Sequence, residues 1–508
     1  MPTGEPTSRP SHATAFAVAW LVFFTVLQWS VVRYRIPIVA TLTVATFALA
    51  LWQWRGWRVE LTRPAVVLML AGSALATLLV PLFSYLAPTG LAVATSALVV
   101  GPLVVGALLW SHGSATLRSA RTAGAVAVLA YVVAAATAVV SSPRPRIDVW
   151  VTLQQASDAL ARGENFYAMR WTGSPGIQDA FTYLPWTAVL LAPGRWVAGD
   201  VRWALTAWTL LAVVGVLLLA LHVPAAGGTR RPVPAARSAG ALPSSADPAG
   251  TDPLPPVWTG AAVGALLLLA PGTLTQLDQA WTEPLLFAGL VGWAVLVQRG
   301  HAWWAVVPLA LACASKQHLA LLLPVLLVWR PFGWRRTVAT GALTGALIAP
   351  WFLASPPDFV HDTITLLLSF HPIKFANTLY LLALNTFGVT LPFYVTGVAV
   401  LGTLAAVVLT VLRRQPPLGD LLRWLALVLL VANLVNKQAF YNQFWLVGAL
   451  VVLSLAAAPR PTPATPATSG AGTAGSGIAT GSSTSTGTAT GAHEDAPTPQ
   501  GGRVPSTG

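Results

Sequence analysis

Asp148 is the residue of this sequence best placed to do chemistry. It belongs to a polar stretch, residues 142–185, that interrupts otherwise apolar sequence. The stretch holds Asp148, Asp158, Glu164 and Asp179, four of only 16 acidic residues in 508. An apolar run over 122–141 precedes it and the amphipathic run VWVTLQQASDALARG follows. In that run Trp150, Leu153, Ser157 and Leu160 share one helical face, with Gln154, Gln155 and Asp158 partly on another. One role for such an aspartate is to cap the helix start, its oxygen taking an orphan backbone N–H. The other is general base. A carboxylate at the edge of a low-dielectric region has a raised proton affinity, which suits taking a proton from a sugar hydroxyl as it attacks. The two roles are compatible. Arg144 and Arg146, just upstream, would lower that affinity or bind a phosphate.

Of 29 basic residues only three are lysines, Lys316, Lys374 and Lys437, each with polar or aromatic neighbours in KQH, HPIK and NKQAFYNQ. A lysine at the end of an apolar run commonly snorkels to the interface. In a chain that otherwise uses arginine, three lysines in polar turns suggest places where a compact charge is needed. The chemistry that fits is neutralisation of a leaving phosphate. His371, in the same segment as Lys374, could help to bind or protonate that phosphate. A further polar patch, QLDQAWTE over 276–283, contains Asp278, Gln279 and Glu283. Acidic groups at bilayer depth are costly and usually functional, whereas at the interface they are ordinary. Asp148 and Asp278 together could hold a divalent metal; no HxH, HExxH or cysteine pair points to zinc. Trp150, Trp171, Trp186, Trp196 and Trp281 flank these stretches as an interfacial belt would. Phe166, Tyr167, Phe181 and Tyr183 bracket the polar stretch itself and are expected nearer a bound sugar.

Composition defines the frame that must position these residues. The chain is 55% hydrophobic and 9% charged, against about 25% charged in soluble proteins. It therefore uses lipid as its solvent, and many runs approach the roughly 20 residues of a spanning helix. The fold class is an all-α polytopic membrane protein. Apolar runs lie at about 13–32, 36–52, 65–86, 90–110, 122–141, 203–222, 257–273, 281–298, 337–354, 391–412, 420–435 and 444–458. Two short pieces within 302–330 are broken at Ser315–His318, and the total is about 12 to 14 crossings. Residues 182–198, with two prolines and Gly194, predict a bent interfacial piece that does not cross.

The formal net charge of +13 comes from arginines in short loops, including Arg55, Arg58, Arg63, Arg118, Arg121, Arg413 and Arg414. The positive-inside rule places those loops and both termini in the cytoplasm and the polar clusters on the outer face, with no nucleic-acid partner needed to explain the charge. The N-terminus leads into a full-length apolar run, which does not resemble a cleavable signal. A single cysteine, Cys313, leaves no internal disulfide. Residues 223–256 and 459–508 are rich in Pro, Ala, Gly, Ser and Thr and are expected to be a disordered linker and tail.

The segment IDVWVTLQQASDALARGENFYA followed by FTYLPWTAVLLAP resembles the first outer loop of bacterial GT-C glycosyltransferases. It is most similar to the DUF2029 branch, glycosyltransferase family 87, the polyprenol-phosphate-mannose-dependent α-mannosyltransferases of actinobacteria. The matching features are Asp148, Gly163 to Tyr167 (GENFY) and Phe181 to Pro185 (FTYLP). Downstream, APGTLTQLDQAWTEPLLFAGL, CASKQHLALLLPVLLV and NKQAFYNQFWL resemble weaker family segments, with Asp278-Gln279 in place of Gly-Gln. The resemblance covers roughly residues 122–458. It implies a GT-C-like bundle whose outer loop carries an amphipathic helix, and residues 1–121 would be an added N-terminal module. It also implies a sugar, mannose, transferred with inversion from a polyprenyl-phosphate donor to a cell-envelope glycolipid or glycan outside the cytoplasm. Asp148 would be the base. His371, Lys374, Lys437, Lys316 and Arg146 would bind the donor phosphate. Gln154, Asn165, Tyr167, Tyr183, Asp278, Gln279 and Gln438 would contact sugar or acceptor.

A lipid or small-molecule transporter would favour ionisable groups at the bilayer midplane and internal repeats, whereas here the charges gather at the ends of apolar runs and no repeat is apparent. A scaffold for envelope synthesis would not need the clustered acids and lysines. The topology makes a direct prediction. On a Cys313→Ala background, Lys437→Cys should react with a membrane-impermeant maleimide added to intact cells. Labelling from the cytoplasmic side alone would reverse the orientation.

Overall fold

The computed structural model describes residues 12–111, 116–175, 180–222 and 252–458. Asp179, most of the 223–256 linker and the 459–508 tail lie outside the described residues. Among the described residues the structure is all-helical, with one isolated bridge between Thr62 and Pro253.

Five helices precede the polar stretch: α1 (Ala13–Ser30), α2 (Ile36–Arg55), α3 (Arg63–Leu79), α4 (Pro88–Ser111) and α5 (Leu117–Ser141). The stretch itself folds into α6 (Asp148–Ala161), a short turn, and α7 (Trp186–Ala198), and the chain continues into α8 (Val201–Leu221). After the linker come α9 (Pro256–Leu268), α10 (Thr273–Asp278), α11 (Glu283–Gln298), α12 (Val306–Cys313) and α13 (Leu323–Val328), the last preceded by a 3-10 turn at Gln317–Leu322. The C-terminal part is α14 (Gly333–Ala354), α15 (Pro356–Val360), a π turn at His361–Thr365, α16 (Leu366–Ser369), α17 (Leu379–Phe387), α18 (Phe393–Arg414), α19 (Leu418–Val435) and α20 (Tyr441–Ala456).

Proline and glycine set many of these boundaries. Proline stands in the first two positions of α2, α3, α9, α11 and α13, where its missing N–H has no partner to lose. α2, α7 and α17 end on Gly56, Gly199 and Gly388, all left-handed, a conformation glycine adopts without strain. Among the described residues eight helices, α1, α2, α4, α5, α8, α14, α18 and α19, are long and apolar enough to cross a membrane, and five shorter apolar ones accompany them, including Gln317–Val328. The apolar runs of the sequence fall on these helices. The 182–198 segment is α7, a 13-residue helix with Pro193 inside it. At about 1.5 Å per residue it is too short to span an apolar layer of about 30 Å.

The centre of the bundle is α9, α11 and α20, whose side chains are buried almost all round. α14 and α18 are apolar yet mostly exposed, with Leu353, Phe393 and Val398 outermost, as expected of helices that face lipid. Polar locks hold both ends of the bundle. At one end Arg423 of α19 bonds Gln53 of α2 (2.8 Å) and Ser454 of α20 (3.3 Å), pairs with Asp420, and stacks over Trp52.

At the other end lies Arg202, 1% exposed, in the first turn of α8. Its Nη2 donates to Ser142 O (2.7 Å) and Asp200 Oδ2 (2.7 Å), its Nε to Asp200 Oδ1 (3.0 Å), and its Nη1 to Ala138 O (3.2 Å) and Asp278 O (3.4 Å). The Asp278 carboxylate stands 3.8 Å from Nη1. Removing one member of a buried charged network leaves the others unpaired, at a cost of about 3–5 kcal/mol. Arg202→Met should therefore lower the melting temperature of the purified protein sharply, and a change of only a degree or two would show that Arg202 is dispensable.

Candidate functional site

The candidate site lies at the Arg202 end of the bundle and is built from α6, the segment before α7, and the turns around α10–α12 and α20. α6 is amphipathic, and it docks through its buried face. Gln154 donates to Gly199 O (3.2 Å) and accepts from Val201 N (3.1 Å), Trp150 donates to Asp200 (3.0 Å), and Asp158 pairs with Arg195 at 2.8 and 3.0 Å. Gly194 of α7 lies so close to α8 that a Cβ there would come 2.7 Å from Ala204 N. Gln154, expected to contact sugar, instead fastens α6 to the α7–α8 turn.

Asp148 is the first residue of α6 and accepts from the N–H of Val149 at 2.9 Å. The N-cap position belongs to Ile147, so the aspartate sits one residue inside the expected cap. Burial raises its pKa above the usual carboxylate value, and the backbone N–H partly offsets this. Tyr183 lies within electrostatic reach of Asp148 and of a second acid, Glu283. Its pKa is raised by burial first and then by those two carboxylates. The Lys316 ammonium stands 5.4 Å from the centre of the Tyr183 ring and 2.5 Å from Glu283 Oε1. Asn442, at the start of α20, donates to the same oxygen at 2.8 Å. Asp148, Tyr183, Lys316 and Asn442 are partly open, while Glu283 beneath them is 0% exposed.

The other expected residues divide into three groups. Phe166, Tyr167 and Phe181 are buried and form, with Trp171 and Phe359, an aromatic core inside the polar stretch. Tyr167 donates to Tyr183 O at 2.9 Å, and Asn165 caps the short turn before it by accepting from Tyr167 N at 3.2 Å. These residues therefore shape the loop from within rather than line its surface. Asp278 and Gln279, expected on an outer turn, are buried at 0% and 2%. Asp278 Oδ2 accepts from Tyr85 N (2.5 Å) and Ser84 Oγ (3.1 Å), which fastens the α3–α4 connection.

With one oxygen so engaged and the other facing Arg202, Asp278 does not suit a metal shared with Asp148, because the guanidinium already supplies the positive charge. Among the described residues no group of three or more His, Cys, Asp or Glu side chains could hold a metal ion.

The third group is mostly exposed or bonded to backbone. Lys437 donates to Leu368 O and Phe370 O, both at 2.8 Å, and so closes the end of α16; burial lowers its pKa. His371 and Lys374 are exposed on the segment that follows, and Arg146 is exposed with its carbonyl accepting from Tyr85 (2.8 Å). Gln438 has a buried oxygen without a partner. The site thus unites Asp148, Tyr183 and Lys316. It adds Glu283 and Asn442, whose signal in the sequence was their place in the polar turns QLDQAWTE and NKQAFYNQ.

No family profile matches the sequence, and no curated protein matches it. The structure is similar to crystal structures of ArnT from Cupriavidus metallidurans. The form bound to undecaprenyl phosphate superposes with a TM-score of 0.40 at 16% identity, over 65% of this chain and 59% of that one. The apo form gives 0.37 and 14% with the same coverage. This chain thus spans about three fifths of the length of the chains it matches, and a likeness at this level assigns no role to any residue.

Asp362, on the π turn, anchors the segment that carries Tyr183, accepting from Phe181 N at 2.7 Å while its other oxygen meets His361 Nδ1 at 3.0 Å. Asp362→Ala leaves that buried N–H without its partner, worth about 1–3 kcal/mol. Amide exchange at 181–184 should accelerate accordingly while α9 and α20 stay protected. Unchanged exchange there would show that the aromatic core alone holds the segment.

Proposed function

We propose that the protein is a membrane glycosyltransferase of GT-C type. It moves a sugar, mannose, from a polyprenyl-phosphate donor to a hydroxyl of a cell-envelope glycolipid or glycan at the outer face. The observation that supports this reading best is the pairing of a polar site with an apolar groove. The groove has a volume of about 390 Å³ and runs between α7, α8, α11 and α12, past Leu190, Trp208, Gly289, Pro308 and Leu311. Leu285 and Ala312, also in its lining, lie two residues from Glu283 and four from Lys316. A long apolar chain lying in the groove would present its phosphate to Lys316.

The chemistry is a single displacement. Asp148, its proton affinity raised by burial, accepts the proton of the acceptor hydroxyl as that oxygen bonds to the anomeric carbon. The bond from that carbon to the phosphate oxygen breaks on the opposite side, so configuration inverts, and the electron pair leaves with the phosphate. Lys316 meets the charge that develops there. Tyr183, beside the ammonium, presents its ring to the sugar. The products are the glycoside and a polyprenyl phosphate, and Asp148 returns its proton to water. The DUF2029-like first loop supports mannose as the sugar, and the positive-inside distribution supports an outer-face site.

General-base catalysis contributes about 10²–10⁴ in rate. Asp148→Asn should reduce transfer from polyprenyl-phosphate mannose to a cell-envelope glycolipid extract by a factor in that range. In the wild type, activity requires the carboxylate, so it should fall as pH drops through a pKa above the ordinary Asp value, and that limb should vanish in the variant. Undiminished transfer by Asp148→Asn removes Asp148 from the role of base, and no transfer by the wild type to any acceptor removes the glycosyltransferase reading.

A further inference from the structure

Glu283 is more than a tether for Lys316. Its Oε1 accepts from both Lys316 (2.5 Å) and Asn442 (2.8 Å), while its Oε2 is buried without a partner. A buried carboxylate with an unused oxygen is an expensive way to hold a lysine in place. Its charge also works against the phosphate that the lysine would bind. The arithmetic of charge gives this arrangement a purpose. Lys316 and Glu283 together sum to zero. A phosphodiester, such as a lipid-phosphate sugar, brings one negative charge. The phosphate monoester left after transfer brings about 1.5–2 at neutral pH, with a second pKa near 6. A lone lysine would hold the monoester more tightly than the diester, and the spent lipid would block the site. With Glu283 in place the site has no net charge to attract the second negative charge, and taking that charge out of water into a low-dielectric surrounding is costly.

We propose that Glu283 determines specificity at the Lys316 site, making it select the singly charged phosphodiester donor over the more highly charged phosphate monoester product. This rests on the reading of Lys316 as the donor-phosphate site. Other charged or titratable groups face the pair from each neighbouring element. Asp148, on α6, acts on Tyr183 together with Glu283, and His318 lies on the Lys316 turn; Tyr85 feels both Asp148 and Asp278, and Asp278 faces Arg202. α20 contributes the neutral Asn442. Glu283 is the member of this set that touches the lysine.

The test is lipid binding by the full-length purified protein in nanodiscs, using polyprenyl phosphate and polyprenyl-phosphate mannose at about pH 5.5 and about pH 8, either side of the monoester's second ionisation. In the wild type, the monoester should weaken by about tenfold as pH rises, while the diester changes little. Glu283→Gln should abolish or reverse that weakening, and Glu283→Asp, which keeps the charge, should restore it. A role in folding alone would move both lipids together. Parallel pH dependence of the two lipids in the wild type overturns the proposal, and this holds even if Glu283→Gln does not fold. So does loss of selectivity in Asp148→Asn with retention in Glu283→Gln, since the discrimination would then belong to Asp148. Binding of neither lipid at either pH overturns the donor reading beneath it.

Discussion

Arg202 stands where four parts of the chain meet, and the arrangement of the site depends on it. Its guanidinium holds the last turn of α5 through Ala138, the exit from that helix through Ser142, its own helix start through Asp200, and the α10 turn through Asp278. Asp200 passes the connection to α6 through Trp150, and Asp278 passes it to the α3–α4 connection through Tyr85 and Ser84. In water these would be ordinary polar contacts. Against an apolar bundle, an unpaired charge has nowhere to go, so each partner is obliged to meet the arginine. α6 and the 276–283 turn are thereby fixed relative to each other, and these two elements bring Asp148 and Glu283 within electrostatic reach of Tyr183.

That arrangement separates two acids by their surroundings. Asp148 is partly open, takes a backbone N–H from Val149 and has its proton affinity raised by burial, which suits a group that must take up and release a proton. Glu283 is sealed and tied to an ammonium, which suits a fixed charge. Tyr183 feels both carboxylates, and its ring lies against the ammonium. The apolar groove reaches Leu285 and Ala312, near Glu283 and Lys316 in the chain.

The helices could be read from the sequence because the demand of lipid is coarse. A run of about 20 apolar residues can do little else, and proline or glycine marks where it stops. The three site residues that were legible, Asp148, Tyr183 and Lys316, share a property. Each is a polar group in a short segment that composition sets apart. What the sequence could not reveal was depth. QLDQAWTE reads as an exposed turn, yet every residue in it is buried, because α20 and the α3–α4 connection close over it. Tyr167 and Phe181 read as a surface for sugar. They became a core because a loop of this length needs one of its own when it cannot lean on lipid. Arg202 drew no notice at all. An arginine at the start of an apolar run looks like an interfacial anchor, and only the partners from distant segments distinguish the two.

Tyr441 carries a last consequence. Its hydroxyl bonds Pro271 O at 3.0 Å, its ring stacks on Trp281, and it lies so close to Gly272 that a Cβ there would come within 2.4 Å. With Asn442 beside it, the final described helix both plugs the turn and completes the site. During synthesis the earlier helices form with that slot empty, and Glu283 waits for a neighbour some 159 residues behind it. Until α20 arrives, Glu283 lacks Asn442, and Pro271 and Trp281 lack Tyr441.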